Sequence, residues 1–140
     1  MNYVLAILAL AVSAYTAFGF FKAGKFKATA SRETLLGAGF GWVEKLPFGL
    51  VRVIAWLELA GAAGIILAPL VAYLVPSINK VALLGLLAAD GLALTMVVAA
   101  IMHIARGEFK YTWKMNLGLF AAANVSFVLQ YTVIGLLPLF

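Results

Sequence analysis

The chain has no cysteine, one histidine and five acidic residues among 140. Without cysteine there can be no disulfide, thiolate metal site, iron–sulfur cluster or CxxC relay, so a membrane thiol oxidoreductase acting alone is excluded. One histidine cannot supply both axial ligands of a b-type haem within a single chain, and neither a metal nor a haem is expected. Charge is also scarce, at 11% of residues against about 25% in an ordinary soluble domain. The sequence carries no P-loop, no GxGxxG turn leading into a helix and no Ser-His-Asp set with a nucleophile elbow. What it has is apolar: 66% of residues are hydrophobic and the mean hydropathy is +1.11. A soluble chain of this length cannot hide that much apolar surface. Composition therefore excludes a water-soluble enzyme, a secreted disulfide scaffold, a disordered chain and a nucleic-acid binder. Lipid is the expected solvent.

A bilayer core about 30 Å thick needs roughly 20 mostly apolar residues per helix. Four stretches meet that requirement: 3–21, 48–75, 81–104 and 115–137. The first lacks a basic n-region, and its apolar run continues past the weakly cleavable Ala-Val-Ser-Ala at 11–14, so it reads as a retained span. Pro69 is expected to kink the second span and Pro76 to end it, and carbonyls freed by proline in lipid need a neighbouring helix or water. The expected fold is all-α: one membrane domain over 1–140, an antiparallel four-helix transmembrane bundle with a long interfacial loop between the first two helices. That loop's segment Thr34–Trp42 is apolar and glycine-rich. It reads as interfacial, anchored by Trp42 and Phe48, with a lid over the bundle mouth as the alternative.

The net charge of +5 is mainly a topology signal. Lys22, Lys25, Lys27, Arg32 and Lys45 fall in the first connection and Arg106, Lys110 and Lys114 in the third, while the second holds only Lys80. The positive-inside rule then puts the first and third connections in the cytoplasm and both termini outside.

Small residues mark where helices meet. Ala60, Gly61, Gly64 and Ala68 in the second span allow close backbone approach. Packing within the bundle is the favoured reading, and a homodimer face is the minority one. Ionisable side chains inside a span cost at least about 2.5–3.5 kcal/mol on insertion scales and seldom persist without a compensating role. Arg52, Glu58 and Asp90 are of this kind. With Glu58 about 15 Å beyond Phe48 and Asp90 similarly deep from the opposite side, both acids should lie near the midplane. Lys22, Arg52 and His103 should lie at the inner mouth, and Asn124 adds a hydrogen-bonding group on the fourth span. Arg52 and Glu58 are six residues apart, so they point about 120° apart around the helix.

Two segments have a familiar pattern. Arg52-Val-Ile-Ala-Trp-Leu-Glu58-Leu-Ala-Gly61-Ala-Ala-Gly64 through Pro69 resembles the second helix of the DoxX-like family, and Gly91 through His103-Ile-Ala-Arg106-Gly107-Glu108 resembles the end of its third. Gly19-Phe-Phe-Lys22 is similar to the Gly-x-x-Lys that closes the first. The resemblance implies a four-helix membrane bundle in which Lys22, Arg52, Glu58, Gly61, Gly64, His103 and Arg106 occupy family positions, whereas Asp90 lies outside the pattern. It also implies a prokaryotic inner-membrane setting and association with quinone-linked redox complexes or membrane assembly, since family members are described in those roles.

Three functions compete. The first is an accessory subunit of a membrane redox system that binds a quinone- or lipid-like molecule near Arg52, Glu58 and His103 and docks a membrane or peripheral redox partner. The second is a binding module or assembly chaperone that uses the small-residue face. The third is a proton-coupled small carrier that uses the midplane acids, ranked last because four spans are few for a monomeric transporter. Whether the chain is catalytic stays open.

Overall fold

The computed structural model describes residues 3–135, and these form four long helices and three short connecting elements. Helix α1 spans Tyr3–Thr29, the short α2 spans Arg32–Gly37, α3 spans Phe48–Leu74, α4 spans Ala82–Ala105 and α5 spans Phe109–Gly135. Gly41–Glu44 and Pro76–Val81 form 3-10 turns. All four long helices, α4 together with part of the turn before it, are long and apolar enough to cross a membrane. They pack as a ring, α1 on α3, α3 on α4, α4 on α5 and α5 back on α1. The expected all-α bundle is what the chain forms. The expected end of the fourth span, Leu137, lies outside the described residues.

The first and last helices run further than the apolar stretches suggest. Helix α1 continues past Phe21 to Thr29, and α5 begins at Phe109 rather than near Met115. Lysine does not end a helix in this setting, because its long stem carries the ammonium to the headgroups while the backbone continues. Lys22 and Lys25 lie over the rings of Phe18 and Phe21, one turn back, at 5.4 and 5.9 Å. The connection between α1 and α3 is therefore residues 30–47, and much of it is itself ordered. Ser31 caps α2 by accepting a hydrogen bond from the Thr34 amide. Leu35, Trp42 and Val43 are buried against Val51 of α3. The Arg32 guanidinium donates to the carbonyls of Val43 and Leu46 at 3.0 and 2.9 Å, folding the segment onto its own backbone at one end of the bundle. This is called the basic end below, because Arg32, Arg52, Arg106 and Lys27 gather there.

At the other end a proline problem is solved by a side chain. Pro69 sits inside α3 without ending it, and its missing N–H frees the carbonyl of Ile65 four residues earlier. Gln130 of α5 donates to that carbonyl at 2.9 Å and to the Ser13 hydroxyl at 2.9 Å. Gly85 of α4 makes room for this arrangement: a Cβ there would lie 2.5 Å from Gln130 Oε1 and 2.9 Å from Pro69 Cδ. Thr16 and Ser126, whose hydroxyls are 3.0 Å apart, extend the polar layer between α1 and α5.

Removing the amide orphans a carbonyl that no water in the bilayer core can reach. Gln130→Leu should therefore lower stability by about 1–2 kcal/mol. In a Pro69→Ala background the loss should shrink, because the restored N–H satisfies Ile65 from within α3. A double-mutant cycle by reversible unfolding in lipid–detergent bicelles measures both quantities.

Candidate functional site

Helices α1 and α3 approach most closely at Gly24. A Cβ there would stand 3.0 Å from the Ala55 carbonyl oxygen and 3.2 Å from Glu58 Cβ, so only glycine lets the two backbones meet without a shift. One turn further along α1, the approach delivers Lys27 onto Glu58. The ammonium donates to Oε1 at 2.6 Å and lies 2.5 Å from Oε2. The ammonium thus sits against both oxygens of the carboxylate. Lys27 is 6% and Glu58 1% exposed, so the pair is held inside the protein.

Arg52 has a different task. Its guanidinium donates to the carbonyls of Lys27 and Ala30 at 2.6 and 2.9 Å and stacks over the Phe48 ring at 4.5 Å. It thus caps the C-terminal end of α1, where unsatisfied carbonyls and the negative end of the helix dipole favour a cation. The angular offset of Arg52 from Glu58 becomes a division of labour: one residue anchors the backbone that carries Lys27, and the other takes its ammonium.

On α4, His103 is buried and its Nδ1 is 3.2 Å from Glu108 Oε2, while Arg106 Nε donates to Glu108 Oε1 at 2.8 Å. The Arg106 hydrogen bond holds the Glu108 carboxyl below its usual range against the opposing cost of burial, and the His103 contact adds to the lowering. A carboxylate facing Nδ1 makes that nitrogen the donor. Gly41 fastens the connecting segment onto this cluster, since a Cβ there would be 2.6 Å from an Arg106 guanidinium nitrogen.

Between α3 and α4, beneath Phe40 and Trp42 of the connecting segment, runs a cavity of about 690 Å³. Its walls are almost wholly apolar, with Gly61, Gly64 and Gly91 among them. Polar groups collect toward one end: Lys27, Glu58, His103 and Asn116. Asn116, 1% exposed, makes only a long 3.4 Å bond from Nδ2 to Thr112, and its Oδ1 has no partner. Among the described residues no three His, Asp or Glu side chains stand close enough to share a metal ion.

The matching family model, described as the DoxX-like family, covers residues 4–126. The chain belongs to the DoxX-like family. No curated protein and no solved structure matches it.

Among the residues singled out in this DoxX-like chain, the structure brings Glu58 and His103 to one cavity. Arg52 stays behind them at the end of α1, and Lys22 is exposed over Phe18. Asp90 and Asn124 face outward, away from the cavity. Gly61 and Gly64 face α4, where a Cβ would lie 2.6 Å from Leu92 and 3.0 Å from Ala88. Ala68 is buried beside Gly85, and Ala60 is exposed along the cavity. Sequence reasoning passed over Asn116, read Lys27 only as a basic residue of the first connection, and read Trp42 as an interfacial anchor or part of a lid. The signal for Lys27 was available, because Gly24-Lys-Phe-Lys27 repeats the Gly-x-x-Lys spacing of Gly19–Lys22 five residues later, and it is this second copy that packs on α3.

Two outcomes follow. Lys27→Met or Glu58→Leu alone strands a buried charge and should cost about 3–5 kcal/mol, while the double replacement should recover most of the loss, measured by unfolding in bicelles. Glu108, with its lowered pKa, contributes stability that is present above the ordinary carboxyl value of 4.5 and lost as pH falls through the folded value. Glu108→Gln should therefore flatten the acid limb of the unfolding midpoint against pH and leave its neutral limb unchanged in shape.

Proposed function

We propose that this DoxX-like protein is a binding subunit of a quinone-linked membrane redox system. It holds a quinone- or lipid-like molecule in the cavity between α3 and α4, with the ligand's polar head against Lys27, Glu58, His103 and Asn116 and its tail along the glycine-lined wall. The single observation that carries this reading is the shape of the cavity: about 690 Å³, apolar along its length and polar at one end, the match for an amphipathic ligand. Its volume lies within the range of small-molecule sites, about 300–1,000 Å³. The buried ion pair supports the reading further, since a charged pair at the end of an apolar groove offers both a donor and an acceptor to a ring carbonyl or hydroxyl. Arg52 acts behind the site by anchoring the end of α1. The basic end, with its excess of Lys and Arg, faces the cytoplasm of a prokaryotic inner membrane, where a peripheral redox partner docks.

Trp42 is 7% exposed and lines the cavity, so it reports occupancy. Decylubiquinone titrated into the protein in nanodiscs should quench tryptophan emission saturably. Trp42→Phe should remove the saturable component, and Gly91→Leu, which adds a side chain to the cavity wall where a Cβ meets nothing, should weaken the apparent affinity at least 10-fold. Quenching that rises linearly with quinone and is the same in all three proteins would sink the proposal.

A further inference from the structure

Asp90 and Asn124 are polar side chains deep within membrane spans, and both are exposed on the outside of the bundle. Asp90 lies about 20 Å along the span that begins at Ser77 and about as far from its other end, near the bilayer centre. It has no hydrogen bond or ion pair among the described residues. No Lys or Arg occurs between Arg52 and Lys80, between Lys80 and Arg106, or after Lys114, so the chain has no cation of its own at that depth. Asn124 uses one amide hydrogen on the Phe120 carbonyl, 2.8 Å away within its own helix, and keeps a second N–H and its carbonyl oxygen.

The two residues share one surface. Val97 and Ile101 of α4 and Leu117 and Phe120 of α5 line a shallow groove of about 190 Å³ on the outer seam between these helices. Asp90 precedes Val97 by seven residues and Ile101 by eleven, which places it within about 20° of each around α4. Asn124 follows Phe120 by four residues and Leu117 by seven, on the matching stripe of α5. Because α4 and α5 are antiparallel, both steps lead the same way from the groove: about 10 Å to Asp90 and about 6 Å to Asn124. Asp90 lies fifteen residues before the end of α4 at Ala105 and Asn124 fifteen after the start of α5 at Phe109, so the two sit at about the same depth.

We propose that the α4–α5 seam is a homodimer interface in which Asp90 of each copy hydrogen-bonds Asn124 of the other. Two copies inserted with the same orientation are related by a two-fold axis along the membrane normal, which preserves depth. An isologous contact requires one patch to carry both halves of a pair, and this patch carries a carboxyl and an amide. The carboxyl accepts from the amide N–H in either protonation state. The pairing removes two polar groups from lipid at once, and the groove around Phe120 receives apolar side chains of the second copy. The inference is independent of what occupies the cavity between α3 and α4.

The chain lacks cysteine, so a single Lys45→Cys on the exposed connection allows donor and acceptor dyes to be attached at one site. In liposomes diluted over a range of protein-to-lipid ratios, the otherwise unchanged protein should show saturable energy transfer. Asp90→Leu and Asn124→Leu should each weaken dimerisation at least 10-fold with the thermal unfolding midpoint unchanged, since both positions face outward. Asp90→Asn, which keeps an amide partner for Asn124, should stay within about 3-fold. Disulfide formation should be faster for Ile101→Cys, on the seam, than for Leu67→Cys on α3. The proposal is overturned if the protein stays monomeric at every ratio or if dimerisation ignores the leucine variants. Faster cross-linking through Leu67→Cys, or capture of a different membrane protein by the seam of an otherwise monomeric chain, would equally overturn it.

Discussion

A lysine and a glutamate closed on each other inside a bundle whose outer solvent is hydrocarbon set the terms for the basic end of this protein. Neither charge could remain there alone, because removing one partner leaves the other buried and uncompensated. Their meeting depends on distant features. Gly24 must lack a side chain so that α1 can touch α3, Arg52 must hold the carbonyls of Lys27 and Ala30, and Phe48 must support the Arg52 guanidinium. Each is a structural requirement on its own, and together they place one ammonium at the end of an apolar cavity. The connecting segment is governed by the same cluster: Arg32 fastens it to its own backbone, and Gly41 lets it lie on Arg106.

The bundle has a second polar centre with the opposite logic. Around Gln130 the group that needs a partner is a backbone carbonyl orphaned by Pro69, and the partner is a neutral amide. Proline here costs little because another helix supplies the missing donor and Gly85 supplies the space. One end of the protein is thus tied by a neutral network suited to holding helices together. The other is tied by an ion pair that also faces a cavity.

Much of this was legible in the sequence. Four apolar runs, the excess of bases on alternate connections and the close-packing glycines led to the bundle, and Glu58 and His103 were found because ionisable groups are rare in spans. The need of the Pro69-freed carbonyl for a neighbouring helix was also readable, although not that Gln130 would meet it. The errors share a cause. Lys27 was assigned to a loop because charge was taken to end the first span, when its stem lets the helix continue beneath the headgroups. Asp90 and Glu58 looked equivalent because hydropathy gives depth but not azimuth. Only the packed neighbours of α4 decide that Ala89 and Leu92 face inward and Asp90 outward.

Azimuth is therefore the variable that sorts the intramembrane polar groups. Several turned inward are matched within the chain: Lys27 with Glu58, and Gln130 with Ser13 and the Ile65 carbonyl. Those turned outward, Asp90 and Asn124, complement each other in chemistry but sit on adjacent helices of one chain, both directed away from its core. A lipid tail cannot satisfy either residue. Among the described residues Asn116 keeps an unpartnered Oδ1 inside the bundle, whereas Asp90 and Asn124 fall together on a single outer seam. A second copy, which offers the same two groups in return, satisfies both at once.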